Sequence, residues 1–149
     1  RVELAGDAKF AGWEIMCFGR RAAGEAFSTG SLRQRIQFWR EGELLWNEAV
    51  NISAGSRAML SPVGMNGRTV SGVFTVAAGA VPIAIIDACR EIAAREGNDY
   101  GITALPEIFA ARFLGDSAEQ ARDYFEQLWQ VLRPWYANTK MQRPRIWST

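Results

Sequence analysis

The sequence predicts an α+β fold, a mostly β body with two C-terminal α-helices in one domain. Three observations predict it. Residues 1–80 alternate with period two between turn signals, apolar spacing turns helical after Pro82, and a capped amphipathic stripe begins at Asp116–Ser117.

Taken in order, Val2 to Leu4 already alternates like a strand, so the chain reads as a portion of something longer. Phe10 to Phe18 is an aromatic-rich strand closed by Gly19. Leu32 to Trp39 puts Leu32, Ile36 and Phe38 on one face and Arg33, Arg35 and Gln37 on the other, as a sheet with one wet side requires. Glu41-Gly42 turns the chain and Glu43 to Ile52 returns, a hairpin with a weaker turn signal than Asn-Gly. Ser61-Pro62 and Asn66-Gly67 mark further turns before a strand from Thr69 to Val76.

Pro82 suits a first helical turn, and Ile85, Ile86, Cys89, Ile92 and Ala93 follow at helical spacing, with Gly97-Asn98 as the stop. Ile102 to Phe113 reads as one extended segment that bends or bulges at Pro106. The next helix is capped by Asp116 or Ser117, with Glu119 or Gln120 in capping-box register. Its apolar stripe is Ala118, Ala121, Phe125, Leu128, Trp129 and Leu132. Arg122, Asp123, Glu126 and Gln130 fill the opposite face, so it packs by one side only. Pro134 ends it or kinks its last turn. Ala137 to Thr149 is an irregular tail carrying Lys140, Arg143 and Arg145 around two prolines. Residues 1–80 are thus mainly β, and 81–149 hold two helices, short strands and the basic tail.

Composition excludes several function classes. With 149 residues and 48% hydrophobic side chains, one domain has a real core, and 22% charged residues is an ordinary globular share. A net charge of +1 argues against a nucleic-acid partner, which calls for a clustered basic face. The apolar run from Val76 to Ile86 is too short to span a bilayer and is broken by Gly79 and Pro82, so no membrane partner is expected. Cys17 and Cys89 are too few for a secreted disulfide framework and read as two reduced core thiols in a cytoplasmic protein. There is no histidine. That removes Ser-His-Asp and Cys-His nucleophile pairs and the commonest zinc and nickel ligand, so the expected sets of catalytic and metal-ligating residues are both empty.

The remaining motifs have ordinary readings. Gly64, Gly67 and Gly72 lack the phosphate-loop pattern and serve turns. Asp7, Glu14 and Glu25 follow no acid/base or hard-metal spacing and read as solvated strand ends. Of six tryptophans, most belong to the core. Trp135 and Trp147, beside the basic tail, are interface candidates, because aromatics and arginine concentrate at interfaces. The closing Arg143-Pro-Arg-Ile-Trp sets an apolar plug among arginines, and such a plug docks on its own body or on another protein.

The run Ala111-Arg-Phe-Leu-Gly-Asp-Ser-Ala-Glu-Gln-Ala-Arg, with Leu128-Trp129, Leu132-Arg-Pro and the final Pro144-Arg-Ile-Trp-Ser-Thr, resembles the C-terminal signature of the UreD/UreH urease accessory proteins. Gly12-Trp-Glu-Ile, Phe18-Gly-Arg, Gly24-Glu-Ala-Phe and Leu32-Arg-Gln-Arg-Ile resemble the same family's central strands. The resemblance implies the C-terminal part of a longer, cytoplasmic, non-enzymatic maturation scaffold with stacked or helical antiparallel or mixed sheets and two C-terminal helices. It implies UreF-like protein, UreG-like GTPase and the urease apoprotein as partners. No cofactor is bound tightly; nickel is handled transiently by the assembled complex. Candidate partner-binding residues are Arg112, Asp116, Trp135, Arg143, Arg145 and Trp147, with Gly115 and Asp116 also serving the strand-to-helix turn. The alternative left open is a small-molecule or carbohydrate-binding β domain with surface tryptophans.

Overall fold

A computed structural model describes residues 1–19 and 23–145. Among the described residues, seven strands form two sheets. In the first, β1 (Val2–Leu4) runs parallel to β3 (Ser31–Arg40), which pairs antiparallel with β4 (Glu43–Ser53). In the second, the order is β2 (Phe10–Cys17), β5 (Val70–Ala77), β7 (Ile108–Gly115) and β6 (Asp99–Ala104), all antiparallel neighbours. Short α1 (Arg57–Leu60) follows β4, α2 (Ile83–Arg90) links β5 to β6, and α3 (Ala118–Ala137) follows β7.

The predicted hairpin forms at the predicted place. Glu41 and Gly42 take φ of 46° and 84°, two left-handed residues in succession. That combination matches the twist of the flanking strands, and it is what a two-residue hairpin needs from a glycine at its second position. A bulge falls between Phe38 and Trp39.

Alternation on the four-stranded sheet sends Val70, Phe74 and Val76 of β5 and Phe109, Ala111 and Phe113 of β7 to one face. There they join Ala121, Tyr124, Phe125, Leu128 and Leu132 of α3 in the main core, with Cys89 of α2. The approach of α3 is close: a Cβ at Gly72 would come within 2.8 Å of the Phe125 ring. The opposite face meets the three-stranded sheet. Apolar clusters hold the sandwich at both ends, Leu4, Phe38, Ala77 and Ile108 at one and Phe18, Ile52 and Met65 at the other.

Several expectations are corrected. Ile102 to Phe113 is a hairpin, not a bent strand: Leu105 donates to the Ile108 carbonyl at 2.8 Å and the chain reverses around Pro106. Proline cannot donate to a ladder, and a turn uses it without loss. The helix after Pro82 ends at Arg90. Ile92 N–H closes a tighter bond to the Cys89 carbonyl at 3.2 Å, and Ile92 packs on the core from outside the helix. Pro134 does not end α3, which continues to Ala137 and is closed by Asn138 in the left-handed conformation. A proline this close to the last turn removes a single internal bond. The buried face of α3 is wider than one stripe, because Tyr124 and Glu126 are also buried. Of the two N-cap candidates, Ser117 is the cap, as expected for one of the pair, accepting from the Gln120 N–H. Cys17 is exposed at the end of an edge strand; only Cys89 is a core thiol.

Candidate partner-binding surface

The six candidate residues fall in three places, and the structure does not bring them to one point. Arg112 projects from β7 between the sheets. Its guanidinium pairs with Glu48 of β4 at 3.2 Å and lies 5.3 Å from the Trp46 ring centroid. On the same level Gln34 of β3 donates to the Glu14 carboxylate at 2.6 Å. The sandwich interior is therefore apolar at both ends and polar across its middle, around a cavity of about 500 Å³ reached by Met16, Val50, Val73 and Leu114. Sequence reasoning missed Glu48 and Trp46. The signal was available, since both fall on the Val50 and Ile52 side of the period-two pattern in β4.

Asp116 sits where β7 passes into α3. It accepts from the Thr69 N–H and hydroxyl at 3.1 Å each and from Arg68 at 3.0 Å. These bonds lock the start of β5 to the end of β7. Beside it, a Cβ at Gly115 would run into the Asn98 amide oxygen, while Asn98 donates to Gln120 of α3 at 2.8 Å. This corner is a structural joint.

The third group lies at the far end of α3. Trp135 is half-buried against the main core, its ring 6.4 Å from that of Tyr136. Tyr136 accepts from the Trp129 indole at 2.6 Å, and Arg133 stacks 4.7 Å from the Trp129 ring centroid. The tail turns back along the helix: Met141 packs on the core, and Arg143 pairs with Glu126 at 3.3 Å. Glu126 also faces Arg122 at 3.9 Å, one helical turn away. A carboxylate on the predicted polar face is buried because the tail brings it a cation, which an i,i+4 pattern alone does not reveal. Arg145 is exposed. Trp147 lies outside the described residues.

Chemistry elsewhere is muted. Among the described residues, no group of three or more His, Cys, Asp or Glu side chains could hold a metal ion. Burial pushes the Cys89 thiol up to about 11. Tyr124 rises to about 12 through burial first, then through Tyr100 and Cys89, and its hydroxyl is buried without a hydrogen-bond partner. Both shifts hold the groups neutral and unreactive. Among the described residues no helix is long and apolar enough to cross a membrane.

Comparison with known proteins gives a consistent result. The family described as UreD urease accessory protein matches residues 1–148. A urease accessory protein UreD of Methylobacillus flagellatus is 55% identical over 148 residues, 99% of this chain and 52% of that protein. Those of Nitrosococcus oceani and Azoarcus sp. are 41% and 40% identical over 99% of this chain, covering 49% and 52% of their own lengths. The chain spans about half the length of the curated relatives it matches.

Proposed function

The chain belongs to the UreD family of urease accessory proteins, and from that premise we propose that it is part of a non-enzymatic scaffold for urease maturation. It binds the urease apoprotein, a UreF-like accessory protein and a UreG-like GTPase, in the cytoplasm, and supports nickel delivery by holding the assembly together. Nickel is cargo of the whole complex; this chain keeps none of it. The match across residues 1–148 carries the reading.

The geometry supports a binding role at the end of α3. Trp135 and the tail arginines Arg143 and Arg145 are residue types that concentrate in interfaces, and the tail's return along α3 fixes the first two on one element. The test is copurification of the whole chain with the three partners, each alone and together. Retention of UreF-like protein and apoprotein, with no retention of unrelated proteins, is the expected result. A chain that folds but retains none of them contradicts the proposal.

A further inference from the structure

The sequence holds five asparagines, and one of them, Asn66, is followed by glycine. The other four precede Glu48, Ile52, Asp99 and Thr139, whose side chains crowd the next main-chain nitrogen. Glycine leaves that nitrogen open to approach, and asparagine is a thermolabile residue. The Asn66–Gly67 pair lies in the loop that joins α1 to β5. Both residues are exposed and left-handed, with φ of 51° and 70°, and a Cβ built on Gly67 would meet nothing within 4 Å. Among the described residues the Asn66 side-chain amide makes no hydrogen bond. Asn98, by contrast, is tied through its amide to the Arg95 carbonyl and to Gln120, both at 2.8 Å.

The loop around this exposed pair is held tightly. Gly67 N–H donates to the Met59 carbonyl at 2.7 Å, and Asn66 N–H donates to the Ser61 carbonyl at 3.0 Å. Met65 N–H donates to the Ala58 carbonyl at 2.8 Å, and the Met65 side chain is buried with Phe18 and Ile52. Gly64 packs so closely that a Cβ there would run into the Ala58 carbonyl oxygen. The reactive side chain is therefore free, while the nitrogen it needs is engaged.

We propose that Asn66 is a site of self-modification, gated by opening of residues 56–68. The Gly67 nitrogen, deprotonated by hydroxide, attacks Asn66 Cγ. A C–N bond forms, the Cγ–Nδ2 bond breaks, and Nδ2 leaves as ammonia, closing a succinimide ring. Water then opens the ring at either carbonyl. One opening gives aspartate; the other gives isoaspartate, with the main chain rerouted through the side chain. No oxidant or reductant takes part. The attack requires the Gly67 N–H to leave the Met59 carbonyl, so the fold sets the rate through the free energy of that local opening. Either product lowers the formal net charge of +1 by one unit. Isoaspartate also inserts a methylene between two N–H groups that the loop engages, which loosens the seat of Met65. The inference stands on the loop alone and does not depend on the urease reading.

The test incubates the whole chain at one pH and temperature, folded and in denaturant, and counts aspartate and isoaspartate at residue 66 by peptide mapping. Product accumulates at 66 in the folded chain, about tenfold or more slowly than in denaturant. Met65→Ala, which empties the buried seat of the loop, speeds the folded-state reaction by about tenfold, and Asn66→Gln abolishes it. Purified isoaspartyl chain unfolds at a lower temperature than unmodified chain. Four results overturn the proposal: no product at 66 in the folded chain, equal rates in the folded chain and in denaturant, an unchanged rate in a folded Met65→Ala chain, or an isoaspartyl chain as stable as the unmodified one. If Met65→Ala does not fold, the comparison of the unaltered chain in its two states decides.

Discussion

Val73 and Phe74 are neighbours on β5, yet they live in different solvents. Phe74 is fully buried, its ring meeting Trp13 edge-on at 5.2 Å and Phe125 at 6.0 Å in a layer sealed by α3. Val73 faces the other sheet and the polar belt of Glu14, Gln34, Glu48 and Arg112. One side of the sheet is a close-packed aromatic core in which Cys89 and Tyr124 are held neutral. The other is a sandwich closed at its ends and hollow in its middle. The difference separates two environments: the α3 side supplies close apolar packing, and the inter-sheet side keeps a polar belt around a cavity.

That division can be broken by experiment. On the dry side, Phe125→Ala should cost about 3–5 kcal/mol, because it empties a fully buried site that cannot collapse against the Gly72 backbone. Denaturant unfolding measures it, and a cost below 1 kcal/mol would show that α3 is not the main source of stability.

A smaller effect comes from pH. Cys89 and Tyr124 have folded-state values above their ordinary 9.0 and 10.0. Groups raised in this way contribute stability that is fully present below the unfolded value and lost as pH rises through the folded one. Unfolding temperature should therefore hold up to about pH 9 and fall between there and pH 12. Tyr124→Phe removes a buried hydroxyl that has no partner, so at pH 7 it should be neutral or stabilising by up to about 1 kcal/mol, and it should flatten part of the alkaline decline. A loss of 2 kcal/mol at pH 7 would mean the hydroxyl is bonded.

The smallest change is expected in the wet layer. Arg112→Ala breaks a pair whose side chains are 45% and 20% exposed, so it should cost less than about 1 kcal/mol and lose most of that sensitivity in high salt. A large, salt-independent loss would make the belt part of the core.

Much of this was legible in the amino-acid order. The β3–β4 hairpin, the alternation of Leu32, Ile36 and Phe38, and the capped stripe of α3 are local patterns, and local patterns survive in a sequence. The reversal at Pro106 is local, closed by the Leu105–Ile108 bond, and its turn signal was read as a bend. The rest has a common physical cause: the burial of Glu126 and the pairing of Glu48 with Arg112 are each set by a partner distant in the chain. Cys17 was misjudged for the same reason, because only the strand order reveals that β2 lies at an edge. Of the candidate residues, Asp116 could be read as a turn position from Gly115-Asp-Ser, though the cap is Ser117 and the bonds of Asp116 to Thr69 could not be read.

The claim on which the account rests is that partners are gripped at the α3 end, through the tail folded along it. The most direct measurement removes residues 138–149 and compares retention of UreF-like protein and apo-urease by the shortened and whole chains, with circular dichroism and thermal unfolding on both. The expected result is a folded, shortened chain whose retention of both partners falls by about tenfold, as when an interface loses its aromatic and arginine anchors. Undiminished retention by a folded, shortened chain would contradict it.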